Sequence, residues 1–233
     1  MAAKQTKVLT PVAESATSSK ITAADVQAMV LAQVEAAIDK KRAEMGLEEA
    51  EPQNWWDILA IGPIQPGAGF VPTGSPGGPG PFLPNGIIRA GEKAYIVTVL
   101  ILNPLPLPQD PSIIPSEFLS TFALPYEVTY QTGNLTEWKK GPAYLNVEHY
   151  GTLIPGQAVY VDVLEFTADD KDEVMYEMNV SARIFGCGNN YAPYFAAFAR
   201  ETVDLDADLF SEAPGLGNRP IRFMVYGDKP ADE

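Results

Sequence analysis

A chain of 233 residues, 46% hydrophobic and 20% charged, is long enough to bury a substantial core, and its formal net charge of -14 opposes phosphate backbones and anionic lipid. Nucleic acid is therefore not an expected partner. One cysteine, Cys187, excludes an internal disulfide, and with a single histidine, His149, the chain cannot assemble a zinc site of the Cys/His kind.

Residues 1–21 are rich in Ala, Ser, Thr and Lys without a sustained apolar period and read as a flexible arm. Met1 to Val12 lacks the apolar centre of a secretion signal, and no run reaches the roughly 18 to 20 apolar residues of a membrane span. The expectation is a soluble product, cytoplasmic or part of an assembled particle, with no membrane insertion.

Thr22, with Asp25 three places on, reads as an acidic capping box opening a helix over 22–46 that Gly46 stops. Val26, Val30, Val34, Ile38 and Met45 form its apolar stripe. Such a face docks either on its own domain or on a neighbouring subunit. An acidic linker over 47–56 leads to Trp55 and Trp56, and a β domain over 57–228 follows, with a polar tail at 229–233.

Within that domain the stretch Ala90 to Leu102 stands out, echoed at Leu153 to Phe166. Both runs turn on a glycine, Gly91 or Gly156, and carry a tyrosine four places later. In the first run Tyr95, Val97, Val99 and Ile101 share one face, and Ala94, Ile96, Thr98, Leu100 and Leu102 share the other; only Thr98 is polar, so neither face suits water. By contrast, Tyr176, Met178, Val180, Ala182 and Ile184 alternate with Glu177, Asn179, Ser181 and Arg183, the pattern of a half-exposed strand. Further strands are expected at Ile58 to Ile61, Tyr126 to Gln131, Ala143 to Tyr150, Tyr194 to Leu205 and Ile221 to Tyr226, with a short helical turn at Ser116 to Phe122.

Two loops, 62–86 and 103–116, are rich in proline or in proline and glycine, and the first carries Phe70 and Phe82. About eight strands spaced by turn signals predict a mainly β fold: an antiparallel β-sandwich, immunoglobulin-like or jelly-roll, with an N-terminal arm and one amphipathic α-helix.

Chemistry is sparse. His149 falls on the apolar parity of its strand and reads as a core-rim histidine, without the paired nucleophile that hydrolytic catalysis needs. Cys187, between Gly186 and Gly188, reads as a turn residue with no base beside it. Asp204, Asp206 and Asp208 match the start of a calcium loop, but the sixth position is Leu209 and the twelfth Gly215, so a solvated acidic cluster is expected and no metal. No cofactor fingerprint is present, and no catalytic residue is assigned. The chain reads as a non-enzyme.

Two functions remain. The first is a self-assembling structural subunit of a filament, tube, sheath or virion-like assembly, its partner a further copy of itself, with Val26, Val30, Val34, Ile38, Phe70, Phe82, Leu100 and Leu102 as expected contacts. The alternative is a non-catalytic carbohydrate-binding module, in which Trp55, Trp56 and Trp138, with Tyr126 and Tyr130, offer flat faces for stacking.

Overall fold

The computed structural model describes residues 22–44, 55–65, 86–107, 110–168, 173–186, 193–202 and 220–227. In chain order its elements are α1 (Ala23–Glu44), β1 (Trp56–Ile64), β2 (Ile87–Arg89), β3 (Lys93–Leu102), α2 (Pro115–Thr121), β4 (Pro125–Asn134), β5 (Lys139–Lys140), β6 (Glu148–Thr152), β7 (Val159–Thr167), β8 (Val174–Phe185), β9 (Pro193–Phe198), β10 (Arg200–Glu201) and β11 (Ile221–Tyr226). A short 3-10 turn spans Ala143–Leu145.

The two glycine-led strands are direct neighbours. β3 and β7 pair antiparallel from Lys93 opposite Thr167 to Ile101 opposite Val159. Gly91 and Gly156 enter them with φ of 80° and 83°, a left-handed backbone that a side chain would strain. With β1 and β10 they make a first sheet in the order β10-β1-β3-β7. The second sheet runs β2-β11-β8-β4-β5, with β6 also on β4 and β9 also on β8.

Both sheets are mixed, where the sequence predicts antiparallel ones. The parallel pairs are β1 with β10 and β2 with β11. Each joins strands far apart in the chain, because a parallel neighbour needs a long crossover whereas a hairpin yields an antiparallel one.

Side-chain parity on β3 sets three apolar clusters. Ala94 and Ile96 join Ile58, Phe166, Met178, Phe223 and others in the core between the sheets. Leu100 and Leu102 close one end of the molecule with Leu119, Leu124, Leu153, Tyr160 and Ile184. On the opposite face Tyr95, Val97, Val99 and Ile101, with Leu59, Ile61 and Val159, receive Val26, Val30, Val34, Ala37 and Ile38 of α1.

The helix therefore forms a third layer on its own chain. Burying each such valine or isoleucine is worth about 1.5–3 kcal/mol. Its start is capped reciprocally: the Thr22 backbone N–H and hydroxyl donate to Asp25 Oδ2 at 2.8 and 2.6 Å, and the Asp25 N–H donates to Thr22 Oγ1 at 3.3 Å. These bonds hold the Asp25 carboxyl below its ordinary pKa. Gln27 Nε2 donates to the Val161 carbonyl at 2.9 Å, tying the helix to β7.

One segment passes between the sheets. β9 lies on β8, the Ala199 N–H then donates to Val180 O at 2.8 Å, and β10 lies on β1, with the Thr202 N–H donating to Ala60 O at 2.9 Å. An ion pair between Arg200 and Asp57, 17% and 11% exposed, fixes this corner.

The predicted strand at Ala143 to Tyr150 is realised only from Glu148 onward. Residues 143–145 coil into the 3-10 turn that buries Leu145, and the Asn146 side chain takes the ladder position, accepting from the Thr132 N–H at 3.0 Å.

Candidate functional site

One chain of polar bonds crosses from sheet to sheet, from the buried Thr98 and Tyr130 to the partly buried Asp162 and His149. Thr98 and Asp162, register partners on β3 and β7, face Tyr130 of β4 and His149 of β6. Tyr130 OH donates to Asp162 Oδ2 at 2.6 Å and lies 2.9 Å from Thr98 Oγ1, whose hydroxyl is then the donor. His149 Nδ1 lies 2.7 and 2.9 Å from the Asp162 oxygens, and its ring meets that of Tyr130 edge-on at 5.5 Å.

Burial first, then the Asp162 charge and the bond donated to it, hold the Tyr130 hydroxyl well above its ordinary pKa. It stays protonated and keeps donating. With His149 Nδ1 on Asp162 and Tyr130 between Asp162 and Thr98, the arrangement is a clamp between the sheets.

The exposed apolar groups lie elsewhere. On the seven-residue helix α2 Leu119 turns into the end cluster, while Phe118 and, four places on, the C-cap residue Phe122 stay 52% and 51% exposed. Their rings meet edge-on at 5.4 Å, and Phe118 meets Trp55 edge-on at 5.6 Å. The neighbouring loop presents Ile154 at 54% exposure on a fixed backbone. Its N–H donates to Tyr160 OH at 2.7 Å, Leu153 N–H to Leu124 O at 2.8 Å, and Gly156 N–H to Ser120 Oγ of α2 at 3.4 Å. Trp55, Phe118, Phe122 and Ile154 thus gather at the end where β1 and β4 begin and β3 stops.

Ten residues of β4, about 30 Å of strand, separate that end from Trp138. Trp138 sits at the β4–β5 hairpin tip, 88% exposed and with φ of 54°. The tip is braced: Asn134 accepts from the Glu137 N–H at 2.9 Å and donates to the Glu137 carboxylate at 2.8 Å, and Thr136 Oγ1 accepts from the Met175 N–H at 2.9 Å. A bulky residue in the left-handed region stores strain on the order of 1 kcal/mol.

The expected site residues are thus dispersed. Val26, Val30, Val34 and Ile38 are covered by the chain's own first sheet, and Leu100 and Leu102 by its own end cluster. Phe70, Phe82, Cys187, Asp204, Asp206 and Asp208 lie outside the described residues. The three tryptophans do not converge: Trp55 and Trp56 stand at one end, half-buried, and Trp138 at the other. Tyr130, offered as a stacking face, is 1% exposed inside the clamp. Among the described residues no three His, Cys, Asp or Glu side chains group as metal ligands, and no helix is long and apolar enough to cross a membrane.

The sequence predicts the helical turn at Ser116 to Phe122 but does not single out Phe118 and Phe122 as contacts, although two aromatics four apart flanking Leu119 are a usable signal, since such a short helix buries only one side. Comparison with known proteins returns no matching family model and no matching curated protein.

Proposed function

We propose that this protein is a self-assembling structural subunit whose partner is a further copy of the same chain. The observation that carries the reading is the aromatic end. Phe118, Phe122 and Ile154 are each about half exposed; Phe118 packs between Trp55 and Phe122, and Ile154 is held on the braced backbone of the neighbouring loop, so little conformational freedom is lost on docking. Clustered aromatic anchors of this kind are what hot spots of protein interfaces are made of.

Trp138 at the far end supports it further. A protomer with anchors at opposite ends joins head to tail, which generates rings or filaments. The scaffold in this reading is a sandwich of immunoglobulin-like or jelly-roll kind, supported by the apolar cluster that the two sheets share. A formal charge of -14 leaves apolar contacts as the natural adhesive between copies.

The test is light scattering across concentration and salt, with negative-stain imaging. Large regular particles are expected from the native chain, and the double variant Phe118→Glu, Phe122→Glu is expected to remain folded and monomeric. A native protein that stays strictly monomeric throughout overturns the proposal.

A further inference from the structure

Between β5 and β6 the edge of β4 lacks a strand partner at residues 130–132, and local bonds take its place. Thr132 N–H donates to Asn146 Oδ1 at 3.0 Å, Tyr130 N–H donates to Val147 O at 2.9 Å, and Asn146 is itself locked through Nδ2 to Pro142 O at 2.9 Å. The chain leaves the sheet there, and an open cleft of about 770 Å3 results on the outer face of the second sheet.

Its lining is chemically selective. Gln131 of β4 and Asn179 of β8 are register partners, so their amides lie on adjacent strands of the floor. Beside them Gly133 opens the floor, since a Cβ built there meets no heavy atom within 4 Å. One wall is Tyr150, 69% exposed, with its hydroxyl donating to Glu148 Oε2 at 2.6 Å. Lys140 stands on the other side.

Gln131 and Asn179 make no side-chain hydrogen bond with the other described residues, so each amide offers both a donor and an acceptor to a ligand. A polyanion is disfavoured because the lining carries one cation, Lys140, against the Glu148 carboxylate, and Arg183 near Glu148 is already engaged by Glu127. A purely apolar ligand is disfavoured because it would leave the amides unpaired. What matches is a molecule with one apolar face for the Tyr150 ring and a rim of hydroxyls for the amides.

We propose that this cleft binds a neutral oligosaccharide, with Tyr150 as the stacking platform and Gln131 and Asn179 as the groups that read its hydroxyls. The volume falls within the range of small-ligand sites. The site uses none of Trp55, Trp56 and Trp138 and lies apart from the aromatic end, but Gly133 and Lys140 pair at the base of the hairpin that carries Trp138, so Tyr150, on β6, is the residue that separates the two proposals.

The test applies the full-length protein to an array of immobilised neutral gluco-, manno-, xylo- and galacto-oligosaccharides together with their uronic-acid counterparts. Retention on a neutral series is expected. Tyr150→Ala, which removes the platform, and Gly133→Trp, which fills the floor without a clash at Cβ, should each weaken binding about tenfold or more. Unchanged circular dichroism and melting temperature identify both variants as folded. Light scattering on Tyr150→Ala is expected to show unchanged particle size, which separates this site from the assembly contacts. The proposal is overturned by an array without signal, by retention on the acidic series alone, or by binding that survives in both folded variants.

Discussion

β3 and β8 are both long, central and apolar, yet they live in different surroundings. β3 has nine consecutive buried residues, one face on the second sheet and the end cluster, the other beneath α1. β8 buries every other residue and turns Met175, Glu177, Asn179, Ser181 and Arg183 outward. The difference is one of cover: the described chain lays a long amphipathic helix over the first sheet alone, so the second must keep its outer face wet. The patterns follow from that, an unbroken apolar run against a strict period of two.

A charge placed on each strand breaks or sustains this contrast with the largest effect. Leu100→Glu puts an unpaired carboxylate among Leu119, Leu124, Leu153 and Ile184, and Val97→Asp puts one beneath α1. Each is expected to cost about 4 kcal/mol or more and to leave little folded protein by circular dichroism. The same charge as Ser181→Glu, on the outward parity of β8, should cost below about 1 kcal/mol. Equal losses at Leu100 and Ser181 would mean that β3 is covered on one face only.

The clamp tests how the two sheets are held to each other. Tyr130→Phe removes the hydroxyl between Thr98 and Asp162 and should cost about 1–3 kcal/mol in chemical denaturation. Thr98→Val added to it should cost much less than it does alone, because its partner is already gone. Strict additivity would show that the bonds act independently and that the core packing aligns the sheets unaided.

Much of this scaffold was legible in the sequence, and the legible parts share a cause. The faces of β3, the alternation of β8, the α1 stripe and the Thr22–Asp25 cap are each local or periodic, so a single segment carries the whole signal. What escaped depends on distant partners. β2 and β10 are three and two residues long and exist because β11 and β1 lie beside them. The run from Ala143 alternates like a strand, but Asn146 substitutes its side chain for the ladder. Tyr130 looked like a stacking surface because parity alone does not say that Thr98 and Asp162 stand opposite. Thr98, the one polar residue without an aromatic ring in the buried run of β3, was the clue that something polar had to meet it.

The outer face of the second sheet, without a helix, relies instead on side-chain pairing, and pH reads that reliance with the smallest effect. Glu127 of β4 lies opposite Arg183 of β8, is 4% exposed, and accepts from Thr129 Oγ1 at 2.7 Å as well as from Arg183. Burial pushes its carboxyl up, but the Thr129 hydroxyl and the Arg183 guanidinium together outweigh burial and hold it below the ordinary value. A folded-state value below the unfolded one, about 4.3, means that the ionised group stabilises the fold fully above that pH. The contribution is lost as pH falls through the lowered folded value. Because Arg183 is 43% exposed, solvent screens the pair and the stake is on the order of 1 kcal/mol. Melting curves of the native chain and Glu127→Gln should therefore differ at neutral pH and converge as the medium is acidified through the carboxylate range. A gap that widens on acidification would place the stabilising form of Glu127 in the protonated state, and the wet face would then owe its cohesion to neutral hydrogen bonds instead of to charge.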